Sequence, residues 1–145
     1  AMMYQILEVA GSGAAGFKIW YEMVTNGGQF YWMSRALRMI QPVEDILLDG
    51  EIHEVKCDNP NARVRFFRHK QGTALFAAEY GMEKAELKLS EMVSSPCVVM
   101  DLDTGKQIAS IKPGSGSFKI VLDENRVGLF FIGTKAQWKE VDHRR

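Results

Sequence analysis

CVVMDLDTGKQIASIKPGSGSFKIVLDENRVGLFFIG, residues 97–133, decides the fold class of this chain. Apolar runs alternate with short clusters of Gly, Asp, Asn, Pro and Ser, the pattern of consecutive antiparallel strands. Val98, Met100 and Leu102 fall on one face of a first strand. Ile108 and Ile111 follow, then Phe118, Ile120 and Leu122, then Val127, Leu129 and Phe131. Asp103-Thr104-Gly105 supplies a positive-φ residue where a tight hairpin needs one, and Glu124-Asn125 separates the last two strands. The stretch reads as a four-strand meander with Val98, Met100, Ile120, Leu122 and Phe131 buried. It carries a fold class and no chemistry.

Upstream, Thr73–Tyr80 reads as a further strand after Gly72. Residues 51–57 and 62–70 read as a hairpin around Asp58-Asn59-Pro60-Asn61. That pairing sets Glu54 opposite Arg65 and Glu51 opposite Arg68, and opposite charges across a hairpin stabilise it. Residues 82–93 fit a helix through Met82, Ala85, Leu89 and Val93, or an alternating strand through Leu87 and Leu89. Residues 34–49 read as a helix capped by Ser34 and bent at Pro42. Residues 17–24 fit either period. Asn26-Gly27 fits a hairpin turn or a helix C-cap, and Gln29–Met33 reads as a strand. Tyr4–Ala10 reads as a short strand, and residues 136–145 as a frayed polar tail. Ala1 before Met2 and Met3 reads as an expression scar.

The expected fold is therefore α+β: a large, mostly antiparallel sheet of about nine to eleven strands, closing toward a barrel, with one bent helix packed on it. Residues 1–145 form one domain, a length that buries a sufficient core without a staple.

Eighteen basic and eighteen acidic residues cancel. Zero net charge argues against a general nucleic-acid binder. Arg63, Arg65, Arg68, His69 and Lys70, interleaved with Phe66 and Phe67, then read as one side of the charged hairpin. Cys57 and Cys97 are too few for a disulfide framework and form no metal-ligand cluster. No apolar run is long enough to span a membrane, and no signal peptide is visible, so the expected compartment is the cytoplasm.

Asp101-x-Asp103-Thr104-Gly105 shares three residues with the aspartic-protease signature, but Lys106 follows where that signature has a small residue. Its spacing also matches the start of a calcium loop, but Lys112 stands where the bidentate Glu belongs. A hairpin turn explains all of it. Residues 112–117, KPGSGS, lack the ending of a P-loop and lead into a strand. His53, His69 and His143 have no metal-site spacing.

The sharpest motif is Gly11-x-Gly13-x-x-Gly16, after a strand candidate and before a segment that fits a helix. In such a turn the backbone approaches a pyrophosphate and the helix N-terminus donates to it. The stretch from Ile6 to Arg35 resembles the Rossmann fingerprint of nicotinamide- and flavin-binding enzymes. Met23, Gly27, Phe30 and Trp32 fall where that family has a helix apolar residue, a turn glycine and a second strand. The resemblance implies cofactor binding by Gly11, Gly13, Gly16 and Arg35. With no acidic residue beside Ser34 and Arg35 to hold a ribose, it implies a phosphorylated cofactor such as NADP. Trp20 stands where the family has a small residue, and Glu8 stands in its buried strand. A glycine-rich connection between antiparallel strands is the plainer alternative.

Phe17, Trp20, Tyr21, Phe30, Tyr31 and Trp32 form a dense aromatic group, and period two leaves half of it facing out. Exposed aromatics mark partner surfaces. The leading functional expectation is a non-catalytic interaction module without a cofactor. It would engage a protein partner or a second copy through Trp20, Tyr31 and Trp32. The alternatives are a nucleotide- or NADP-binding protein using the glycine turn, and a binder of a small apolar ligand inside the sheet.

Overall fold

The computed structural model describes residues 2–16, 26–81 and 85–145. Among them run α1 (Met2–Gly11), α2 (Gly27–Ile40), α3 (Glu44–Asp49), eight strands and α4 (Lys135–Asp142). The strands are β1 (Glu51–Val55), β2 (Ala62–His69), β3 (Gly72–Glu79), β4 (Ala85–Ser90), β5 (Cys97–Asp101), β6 (Gln107–Ile111), β7 (Ser117–Leu122) and β8 (Val127–Gly133). Six form one sheet in the order β1-β2-β3-β8-β5-β6, and β4 pairs with β7 in a second. Every pairing is antiparallel. The α+β class and the large antiparallel sheet are as the sequence indicates; the sheet does not close into a barrel.

The molecule has three layers. Met3, Ile6, Leu7, Ala36, Met39, Val43, Ile46 and Val141 of the helical layer bury against Phe67, Phe76, Met100 and Phe131 on one sheet face. On the other face Val64, Phe66, Leu75, Val99 and Phe130 meet Leu87, Leu89, Phe118, Ile120 and Leu122 of β4 and β7. Strands covered on both sides cannot alternate, and β8 is buried at every position. β4 and β7 have one covered face and alternate strictly.

Residues 97–133 hold the four expected strands, and Val98, Met100, Ile120, Leu122 and Phe131 are buried. Their connection is not a meander. After the β5–β6 hairpin the chain crosses to pair β7 with β4, then returns to set β8 between β3 and β5. The β1–β2 register sets Glu54 opposite Arg65 and Glu51 opposite Arg68, as expected.

Further expectations change: the described residues hold eight strands in place of the nine to eleven expected, and Ser34 lies inside α2, not at a helix start. Residues 4–10 are helical, because Met3, Ile6 and Leu7 share one buried face at helical spacing. Residues 29–33 lie inside α2, which Asn26 caps: the Asn26 side chain accepts from Gln29 N and the Gln29 side chain accepts from Asn26 N. This capping box settles Asn26-Gly27 as a helix start. Residues 136–142 belong to α4, capped the same way by Thr134 and Gln137, with Val141 buried and Trp138 packed on Phe131. The bend at Pro42 is present as a single 3₁₀ turn between α2 and α3. The expectations for residues 17–24 and for Trp20 lie outside the described residues.

Candidate functional site

A cleft of about 360 Å³ opens where the start of α1, the middle of α2 and the β7–β8 turn converge. Met3, Tyr4 and Gln5 come from α1, Trp32 from α2, and Glu124, Asn125 and Arg126 from the turn. Asp123 shapes that turn: its carboxylate accepts from Asn125 N at 2.8 Å and Asn125 Nδ2 at 3.3 Å, and its carbonyl accepts from Arg126 N at 3.0 Å. Arg126 is the one non-glycine residue with positive φ among the described residues, at 58°. Glycine is the unstrained choice there. The Arg126 carbonyl accepts from Glu79 N at 2.9 Å, which ties the turn to β3. Its guanidinium lies 6.0 Å from the Tyr4 ring centroid. Among the described residues that guanidinium has no carboxylate partner and no hydrogen-bond acceptor.

Tyr4 is fixed from behind. It meets Tyr80 edge to face at 6.3 Å, and Tyr80 Oη donates to Glu8 Oε1 at 2.6 Å. Burial, with Tyr80 and Glu8 alongside, pushes the Tyr4 phenol well above its ordinary pKa, so it stays protonated. The Trp32 ring carries the Arg35 guanidinium at 5.2 Å and meets Tyr31 edge to face at 5.1 Å. The cleft thus joins two held aromatic rings to an amide pair, one carboxylate and one guanidinium with unspent donors. Such a set can stack on a ring and exchange hydrogen bonds with a polar ligand.

The residues singled out from sequence mostly serve the fold. Gly11 ends α1, and a Cβ there would overlap the Phe76 ring. Its carbonyl accepts from Arg65 Nη1 at 3.0 Å. Gly13 takes a φ of 86° and Gly16 is exposed. Arg35 is a bidentate partner of Asp103, with Nε donating to Oδ1 at 2.8 Å and Nη2 paired with Oδ2. That contact holds its pKa above the usual arginine range. Asp101 closes its own hairpin turn by accepting from Asp103 N and Thr104 Oγ1, each at 2.9 Å. Tyr31 is 54% exposed and Trp32 half-buried. Glu54 meets Arg63 at 3.2 Å and Arg65 at 3.5 Å. Arg68 does not reach its cross-strand neighbour Glu51; it forks onto Glu91, which is buried, at 3.0 and 2.9 Å. Tyr4, Gln5, Asn125 and Arg126 were missed by sequence reasoning. They are spread over both ends of the chain, and only Arg126, a bulky residue in a tight turn, leaves a local trace.

No known family profile and no curated protein sequence matches the chain. Solved structures do. An α-amylase from Geobacillus thermoleovorans, complexed with acarbose, is 10% identical over 93% of this chain and 34% of its own, with a TM-score of 0.66. A maltogenic α-amylase from Thermotoga neapolitana is 14% identical over 91% of this chain and 36% of its own, at 0.61. An Anoxybacillus α-amylase is 11% identical over 72% and 23%, at 0.55. At these identities the likeness is one of fold, and the chain spans between 23% and 36% of the length of these proteins. Two findings correct the functional expectation. The three solved structures above, similar in fold to this chain, are α-amylases, which overturns the non-catalytic protein-binding module as the leading reading. The nucleotide alternative fails because a helix, not a strand, leads into the glycine turn. The chain is similar in fold to part of each of these three α-amylases.

Proposed function

We propose that this chain is a domain of a carbohydrate-active protein. The observation that carries this reading is the likeness to α-amylases across up to 93% of the chain. Fold by itself hosts many functions, so the site must agree. The cleft does agree in kind: rings and mixed donors and acceptors suit a sugar, which has apolar ring faces and a rim of hydroxyls. One of the similar structures is a complex with acarbose, so oligosaccharides are the ligands to test.

Electrophoresis of the folded chain through native gels containing soluble starch, xylan, galactan or β-glucan tests this. Retardation in at least one polysaccharide gel, relative to a plain gel, is the expected result. Unchanged mobility in all four contradicts the reading.

A further inference from the structure

We propose that the Tyr4–Trp32–Arg126 cleft is a binding site for a neutral sugar ring, with Arg126 as the residue that fixes it. The inference rests on the carbohydrate reading above and adds a place, a ligand class and a determinant.

Four observations carry it. The cleft is bounded by two rings from different helices, each held by further contacts: Tyr4 by Tyr80, and Trp32 by Arg35 and Tyr31. Held rings offer faces for stacking at little entropic cost. The Arg126 guanidinium is oriented over the Tyr4 ring yet has no acceptor among the described residues, whereas Arg35, Arg63, Arg65 and Arg68 are each paired. A forked, unspent donor suits two adjacent oxygens, such as vicinal hydroxyls. Arg126 holds this position at a backbone φ of 58°, where a residue with a Cβ is disfavoured. Strain retained at a turn that faces a cleft is a mark of a positioned side chain. Lastly, the cleft is lined by one carboxylate, Glu124, and one guanidinium, Arg126, alongside the amides of Gln5 and Asn125. That balanced set can donate and accept and does not select a charged ligand. The volume, about 360 Å³, lies at the small end of ligand clefts.

The test measures binding of maltotriose, xylotriose and galactotriose, with trigalacturonate as the charged probe, by calorimetry. Wild type, Trp32→Ala, Arg126→Gly and Met92→Ala are compared, Met92 lying in a different cleft beside Arg68 and Glu91. The expected result is that at least one neutral trisaccharide binds and that Trp32→Ala and Arg126→Gly each weaken it tenfold or more. Met92→Ala leaves the affinity unchanged. Arg126→Gly relieves the backbone, so its melting temperature does not fall and its loss of affinity is not a loss of fold, even if Trp32→Ala unfolds. Wild-type affinity in Arg126→Gly overturns the site while leaving the carbohydrate reading intact. Tighter binding of trigalacturonate than of every neutral sugar overturns the ligand class. Binding of none of the four probes overturns the site; retardation in a polysaccharide gel would still uphold the broader reading.

Discussion

Gly11, Tyr4 and Arg126 show how much single residues settle. Gly11 looked like the first glycine of a phosphate turn, but its missing Cβ lets the end of α1 rest on the Phe76 ring. Gly11→Ala should cost about 1–3 kcal/mol by overpacking. Urea denaturation reads this directly. Arg126→Gly has two opposed effects: relief of about 1–2 kcal/mol of left-handed strain, and about 0.4–1 kcal/mol lost to a more flexible unfolded chain. The net change should lie between about zero and about 1.6 kcal/mol of added stability. Tyr4 sets a pH limit. Its phenol is raised by burial and by Tyr80 and Glu8. The folded chain keeps a proton that the unfolded chain releases above the ordinary tyrosine pKa of about 10. Its contribution to stability is therefore complete below about pH 10 and fades as the pH rises beyond it. Tyr4→Phe should flatten the fall of the melting temperature on the alkaline side, and a slope as steep as wild type would assign that fall to other groups.

Most strands were legible at the scale of elements because each shows its environment, but residues 82–93, which hold β4, fitted a helix as well as an alternating strand. β4 and β7, covered on one side, alternate; β8, covered on both, is a continuous apolar run. Charge pairing and a short loop gave the β1–β2 register. α1 and α2 were not legible as helices. In YQILEVA the apolar Ile6, Leu7 and Val9 read as a short strand run, and QFYWM is rich in strand-favouring aromatics. The overlooked signals were Met3, Ile6 and Leu7 at helical spacing and the Asn26–Gln29 box. The cleft was illegible for a different reason: its helical side and its turn side are more than ninety positions apart in sequence, joined only when β7 crosses to the second sheet and β8 returns. At this scale Thr134→Ala should cost about 1 kcal/mol by uncapping α4. Arg68→Ala should cost about 2–3 kcal/mol, because it strands the buried Glu91 carboxylate, with the exposed flank of Arg68 moderating the loss. Arg63→Ala, at a more exposed pair, should stay within about 0.5 kcal/mol. Equal losses at Arg63 and Arg68 in denaturation curves would show that burial does not set their weight.

The whole molecule is an antiparallel sheet clad by helices on one face and by a two-stranded sheet on the other. Both faces of the central strands are committed to the core, so recognition is left to the rim, where helix starts and strand turns meet. The Tyr4–Trp32–Arg126 cleft is such a place. No helix among the described residues is long and apolar enough to cross a membrane. The central claim is that a sugar sits in this cleft. Nuclear magnetic resonance of the labelled chain, titrated with the trisaccharide that binds best, tests it most directly. The account predicts that amide shifts concentrate at Gln5, Trp32, Asn125 and Arg126 and that the Trp32 indole signal moves with them. Shifts confined to residues outside this cleft, or none at saturating sugar, would contradict it.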